Sequence, residues 1–193
     1  MSEGKVTSIL IVGVGGQGTL LSSKILGQVA IQEGLDVKMS EVHGMAQRGG
    51  SVVTQVRFGP KVYSPLIAKQ GADVILTFEL MEALRYLPFL APGGTVIVNE
   101  QMIPPMPVIV GAAKYPDDPV KEMRELGADV INLKAYQIAK DLGNVRAANV
   151  VLLGVLAKKL AFSRETWEEA IKAVVPERFL DINLKAFESG YNY

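Results

Sequence analysis

Ser8-Ile9-Leu10-Ile11-Val12-Gly13-Val14-Gly15-Gly16-Gln17-Gly18 decides how the rest of this chain is read. The run Ser8–Val12 is short and apolar, as expected of a strand buried on both faces of a parallel sheet. The glycines after it satisfy G-x-G-x-x-G where that spacing has a mechanism, between a first strand and a first helix. Glycine there permits a tight turn, lets a phosphate approach the backbone, and aims the helix N-terminus at the anion. Leu20, Leu21, Ile25, Val29 and Ala30 recur at helical spacing until Gly34 stops the helix, and Asp36–Glu41 resumes as a strand. Glu41, at the end of that strand, is placed to hold a ribose hydroxyl. Two readings stay open: a dinucleotide or other phosphate-bearing ligand, or a glycine turn that only packs the helix against the sheet.

Outward from this βαβ unit, Val52, Thr54, Val56 and Phe58 alternate with Val53, Gln55 and Arg57, which predicts an antiparallel or edge strand over Ser51–Phe58. Asp73–Phe78 reads as another buried strand, followed by a helix over Glu79–Leu87 that Pro88 ends. Thr95–Asn99 and Val108–Val110 read as further short strands on either side of Ile103-Pro104-Pro105. Asp118-Pro119 carries the chemistry of a helix start, an N-cap followed by proline at the first helical position. Asp129–Leu133 is the last strand pattern. Beyond it Ala135–Leu142, Arg146–Leu160, Arg164–Val174 and Glu177–Ser189 all read as helices. The expected fold is α/β and Rossmann-like: a mostly parallel sheet flanked by helices over about 5–133, then a helical C-terminal region over about 134–193. At ~150 residues per domain, the 193 residues predict a single domain.

Composition excludes several function classes. With 20 Lys+Arg against 20 Asp+Glu, the chain lacks the dense basic face that nucleic acid requires. It has no Cys, hence no disulfide framework, no thiolate-held iron–sulfur cluster and no cysteine nucleophile. His43 is the only histidine, so a His-rich metal site is impossible. The apolar run after Lys5 is too short for a secretory segment, and Ala148–Ala157 falls short of the ~20 residues of a membrane span. These features predict a cytoplasmic protein with neither nucleic acid nor membrane as partner.

A second segment, Glu41-Val42-His43-Gly44-Met45-Ala46-Gln47-Arg48-Gly49-Gly50-Ser51, joins two strands with three glycines and the only histidine. Polar donors on a glycine-rich loop at a strand end suit an anionic group. Gln47 and Arg48, followed by Gly49, Gly50 and Ser51, form the candidate: the glycines would let backbone amides join the guanidinium around a carboxylate or phosphate. His43 is as readily a structural residue. Asn144 reads as a helix cap that places Arg146 and Asn149 one turn apart. The candidate ligand-facing residues are therefore Gly13, Gly15, Gly16, Gln17, Gly18, Glu41, His43, Gln47, Arg48, Gly49, Gly50 and Ser51.

Taken in order, these segments resemble the gamma subunits and gamma domains of the 2-oxoacid:ferredoxin oxidoreductases. GVGGQG, then EVHGMAQRGGSV and QVRFG, are most similar to the indolepyruvate branch of that family. The likeness extends through GADV at Gly71–Val74, ALRYLPFL at Ala83–Leu90, NVRAANVVLLG at Asn144–Gly154, and a closing helix with Asn183, Ala186, Phe187 and Gly190. The resemblance implies a subunit with no catalysis of its own, in a complex that oxidatively decarboxylates a 2-oxoacid, such as indolepyruvate, to an acyl-coenzyme A. Thiamine diphosphate, magnesium and 4Fe-4S clusters would belong to a larger alpha subunit, coenzyme A would be co-substrate, and ferredoxin would be met only indirectly. The alternative is a self-contained nucleotide- or dinucleotide-binding Rossmann-like protein.

Overall fold

In the computed structural model, which describes residues 4–44 and 50–193, Thr7–Val14 forms β1, buried along its whole length. It is followed by α1 (Thr19–Gln32), β2 (Asp36–His43), β3 (Ser51–Gly59), β4 (Ala72–Thr77), α2 (Leu80–Tyr86) and β5 (Leu90–Asn99). The chain continues through α3 (Met106–Ile109), α4 (Pro119–Glu125), β6 (Asp129–Leu133), α5 (Ala135–Asp141), α6 (Ala148–Ala157), α7 (Arg164–Val174) and α8 (Leu180–Tyr191). The six strands form one sheet in the order β2-β3-β1-β4-β5-β6. β1, β4, β5 and β6 run parallel, and β3 is antiparallel to both its neighbours.

Two expectations are corrected here. The βαβ unit does not bring its strands side by side, because β3 lies between β1 and β2. β3 is antiparallel as its alternation suggests, but interior. Both of its faces are covered: Val56 and Phe58 lie in the core beside α1, while Gln55 accepts a bond from Ile67 N–H (2.6 Å) and Arg57 reaches Ser8 Oγ (3.1 Å) and Ser64 O (3.0 Å). The second correction is Val108–Val110, which is not a strand. Pro105 and Pro107 preset φ near the helical value, and the residues enter the short helix α3.

Local signals elsewhere place the elements as expected. Asp118 accepts from Lys121 N–H (3.0 Å), and Ser163 accepts from Thr166 N–H (3.1 Å). Gly34, at φ 72°, closes α1. One face of the sheet carries α1 and the C-terminal helices, with Trp167 stacked on Phe187 at 6.0 Å; the other carries α2, α4 and the segment containing Ile67. At the end of the chain the Tyr193 hydroxyl donates to Asn132 O (3.0 Å).

Candidate functional site

β1, β4 and β5 all end on one side of the sheet, and parallel strands leave a crevice beyond their carboxyl ends. The turn out of β1 is built around Gln17. Its Oε1 accepts from Val14 N–H (2.7 Å), and its Nε2 donates to Phe78 O and Gln101 Oε1, each at 3.2 Å. Gln17 thus ties the glycine turn to the ends of β4 and β5. Gly18 caps α1 at φ 89° with no side-chain hydrogen bond, which leaves the first-turn amides and the positive end of a 14-residue helix facing the crevice.

Asn99, 2% exposed, donates to Phe78 O (3.1 Å) and accepts from Tyr136 N–H (3.2 Å). Asn149 Nδ2 donates to Gly18 O (3.3 Å). Between these groups lies a cleft of about 350 Å³, with Gly16, Gln17 and Gly18 on one wall, Asn99 and Gln101 on another, and Tyr136 and Arg146 on the third. Leu21, Phe78, Ile103 and Val145 add apolar surface, and among the described residues no carboxylate lines it. A helix N-terminus, amide donors and one guanidinium beside apolar wall suit an anionic ligand with an apolar part.

The second loop meets the first at its base. Gly15 N–H donates to Gly50 O (2.9 Å), and Ser51 pairs with Val14. Ser51 Oγ donates to Glu82 Oε2 (2.5 Å), and Arg85 lies 3.5 Å from the same carboxylate. Burial pushes the Glu82 carboxyl above its ordinary range, against the opposing pull of Ser51 and Arg85. Glu79, 1% exposed, accepts from Glu82 N–H (2.8 Å), Ile103 N–H (3.0 Å) and the Tyr115 hydroxyl. Burial and then the neighbouring Glu79 push the Tyr115 phenol up.

Of the residues expected from sequence, Gly16, Gln17 and Gly18 line the cleft, Gly13 and Gly15 build its turn, and Gly50 and Ser51 brace it. Gln47, Arg48 and Gly49 lie outside the described residues. Glu41 does not reach the turn. With β3 interposed, it stands two strand spacings, about 10 Å, from β1, and its carboxylate accepts from Thr54 Oγ1 (3.0 Å). Glu41 therefore does not supply the ribose contact of a dinucleotide motif. His43 is exposed at the end of β2, its Nδ1 3.4 Å from Gly44 O. Sequence reasoning missed Asn99, Gln101 and Tyr136. For Asn99 and Gln101 the available signal was polar residues at the end of the buried strand β5 and just beyond it; Tyr136, in α5 after β6, carried none.

Among the described residues no group of three or more His, Asp or Glu could hold a metal ion, and no helix is long and apolar enough to cross a membrane.

The sequence model of pyruvate ferredoxin/flavodoxin oxidoreductases matches residues 8–193. The chain belongs to this family. The indolepyruvate oxidoreductase subunit IorB of Archaeoglobus fulgidus is 46% identical over 189 residues, 96% of this chain and 94% of its own. A keto/oxoacid ferredoxin oxidoreductase gamma subunit from Geobacter sulfurreducens superposes with a TM-score of 0.72 at 25% identity, covering 96% of each chain. The fold recurs in the 2-oxoglutarate:ferredoxin oxidoreductase of Magnetococcus marinus, solved with 2-oxoglutarate, coenzyme A and succinyl-CoA bound. There the TM-score is 0.74 at 23% identity, over 98% of this chain but 31% of that one. Membership agrees with the motif resemblance and, with the displaced Glu41, weighs against a self-contained dinucleotide-binding protein.

Proposed function

We propose that the whole chain acts as one gamma-type domain, the small subunit of an indolepyruvate:ferredoxin oxidoreductase working in the cytoplasm. The observation that carries this is the 46% identity along nearly the full length of an indolepyruvate oxidoreductase subunit. The redox groups of such an enzyme do not fit this chain: it has no Cys to ligate a cluster, and among the described residues its cleft has no carboxylate for a magnesium diphosphate. Thiamine diphosphate and the clusters then reside in a larger alpha subunit, which meets ferredoxin.

This chain's part is to hold an anion at the seam. The first-turn amides of α1 and Arg146 converge on the cleft, a place suited to a phosphate of coenzyme A or the carboxylate of the 2-oxoacid. Arg48, on sequence grounds, is the second guanidinium offered to the same ligand. The test is steady-state turnover of indolepyruvate by the complex co-purified on this chain, with each substrate varied in turn. Arg146→Ala and Arg48→Lys should each weaken use of one substrate roughly ten- to hundredfold, the value of a charge-assisted contact of about 1.5–3 kcal/mol. The isolated chain should show no turnover. Turnover by the chain alone, or a complex indifferent to indolepyruvate, overturns the proposal.

A further inference from the structure

The exposed apolar surface is not spread evenly. On the β2 edge, Met39 and Val42 are exposed but interleaved with Asp36, Lys38 and Glu41, charges of the kind that keep a sheet edge from recruiting strands. The segment between β5 and α4 has no such guard. From Gln101 to Ala113 it carries no charged side chain. Within it Met102, Met106, Ile109 and Val110 are 55%, 65%, 65% and 66% exposed.

This strap is nonetheless held in shape. The buried Glu79 carboxylate accepts from Ile103 N–H at one end and from the Tyr115 hydroxyl at the other, so one group pins both ends. Met81 N–H donates to the same hydroxyl (3.1 Å). Inside the strap, three prolines, the α3 turn and Ala113 N–H to Pro107 O (3.0 Å) limit what the backbone can do. An apolar surface already ordered before it is covered loses little entropy when it binds, which is what a docking element requires.

We propose that Met102–Val110 is the element by which this chain seats in its larger, cofactor-bearing partner subunit, its four apolar side chains entering an apolar recess there. The inference rests on the small-subunit reading above. Three observations select this occupant. The strap adjoins the cleft, which Gln101 and Ile103 help to line. The same fold spans 31% of one longer oxidoreductase chain, so it also occurs joined to a larger polypeptide. The four side chains, 55–66% exposed, offer on the order of a few hundred Å² of apolar surface, against roughly 800 Å² that each partner buries in a standard interface. It is too small to sustain a symmetric pair by itself, yet suited to the centre of a wider heteromeric contact.

The test purifies this chain, tagged, from its own cell and measures how much iron–sulfur- and thiamine-diphosphate-bearing polypeptide accompanies it. Met106→Glu/Ile109→Glu should weaken its retention at least about thirtyfold, as loss of a contact hot spot does. Met106→Ser/Ile109→Ser should do so more mildly, with the same melting temperature as wild type. Tyr115→Phe, which frees one end of the strap without touching its outer face, should also reduce retention. Wild type accompanied by no such polypeptide removes the small-subunit reading itself. Wild type and both double variants retaining it equally removes only the strap. Sedimentation showing the isolated wild type dimeric and the glutamate variant monomeric assigns the patch to a second copy and overturns the heteromeric occupant.

Discussion

Substituting Gly18 by alanine tests whether the glycine turn is a fitted part of the cleft or a permissive connection. At φ 89°, an alanine there costs about 1–2 kcal/mol of backbone strain. The added Cβ would also stand 2.7 Å from Asn149 Nδ2 and 3.2 Å from Asn149 Cγ. Asn149 is 2% exposed, so its amide cannot swing into water. Displacing it breaks the bond to Gly18 O and leaves a buried amide short of a partner, together about 1–3 kcal/mol. The expected total is about 3 kcal/mol, or roughly 6–12 °C in melting temperature for a chain of this size. Gly16→Ala is the control. Its φ of 100° brings similar strain, but its Cβ meets nothing within 4 Å, so it should lose only the strain component. Urea unfolding of both variants, and of Gly18→Ala combined with Asn149→Ala, separates the terms. In the Asn149→Ala background the cost of Gly18→Ala should fall by about 1–2 kcal/mol. Equal costs for the two glycines and no coupling to Asn149 would refute the reasoning.

Two further outcomes follow from the packing. The raised Glu82 pKa makes the folded state bind more protons than the unfolded chain between the ordinary carboxylate value of 4.5 and the higher folded one. Stability from this group is therefore fully present below the ordinary value and lost as pH rises through the folded one. Glu82→Gln should flatten that decline in unfolding free energy measured between acidic and neutral pH; an unchanged slope would contradict it. Gly190→Ala places a Cβ 1.9 Å from Val151 O where α6 and α8 cross, and a backbone oxygen cannot yield without parting the helices. It should cost more than about 3 kcal/mol by thermal melting, and a variant as stable as wild type would show that the crossing can open.

By itself the sequence determined the elements whose signals are local. The apolar run Ser8–Val12 specified a buried strand, Asp118-Pro119 specified a helix start, and the absence of Cys excluded clusters whatever the fold. Each depends on residues within a turn or a strand length of one another, where periodicity and capping act. The order of names in the motifs also carried the family. Sequence left open what depends on neighbours distant in the chain. Alternation in Ser51–Phe58 said that the strand has two unlike faces, not that it would enter between β1 and β2, and that insertion is what carries Glu41 away from the glycine turn. Val108–Val110 has the composition of a strand; its prolines took it into a short helix, with β6 already holding the place beside β5. Only the fold brought Asn99, Gln101, Tyr136 and Arg146 to one cleft, because parallel strands end together however far apart they lie in sequence.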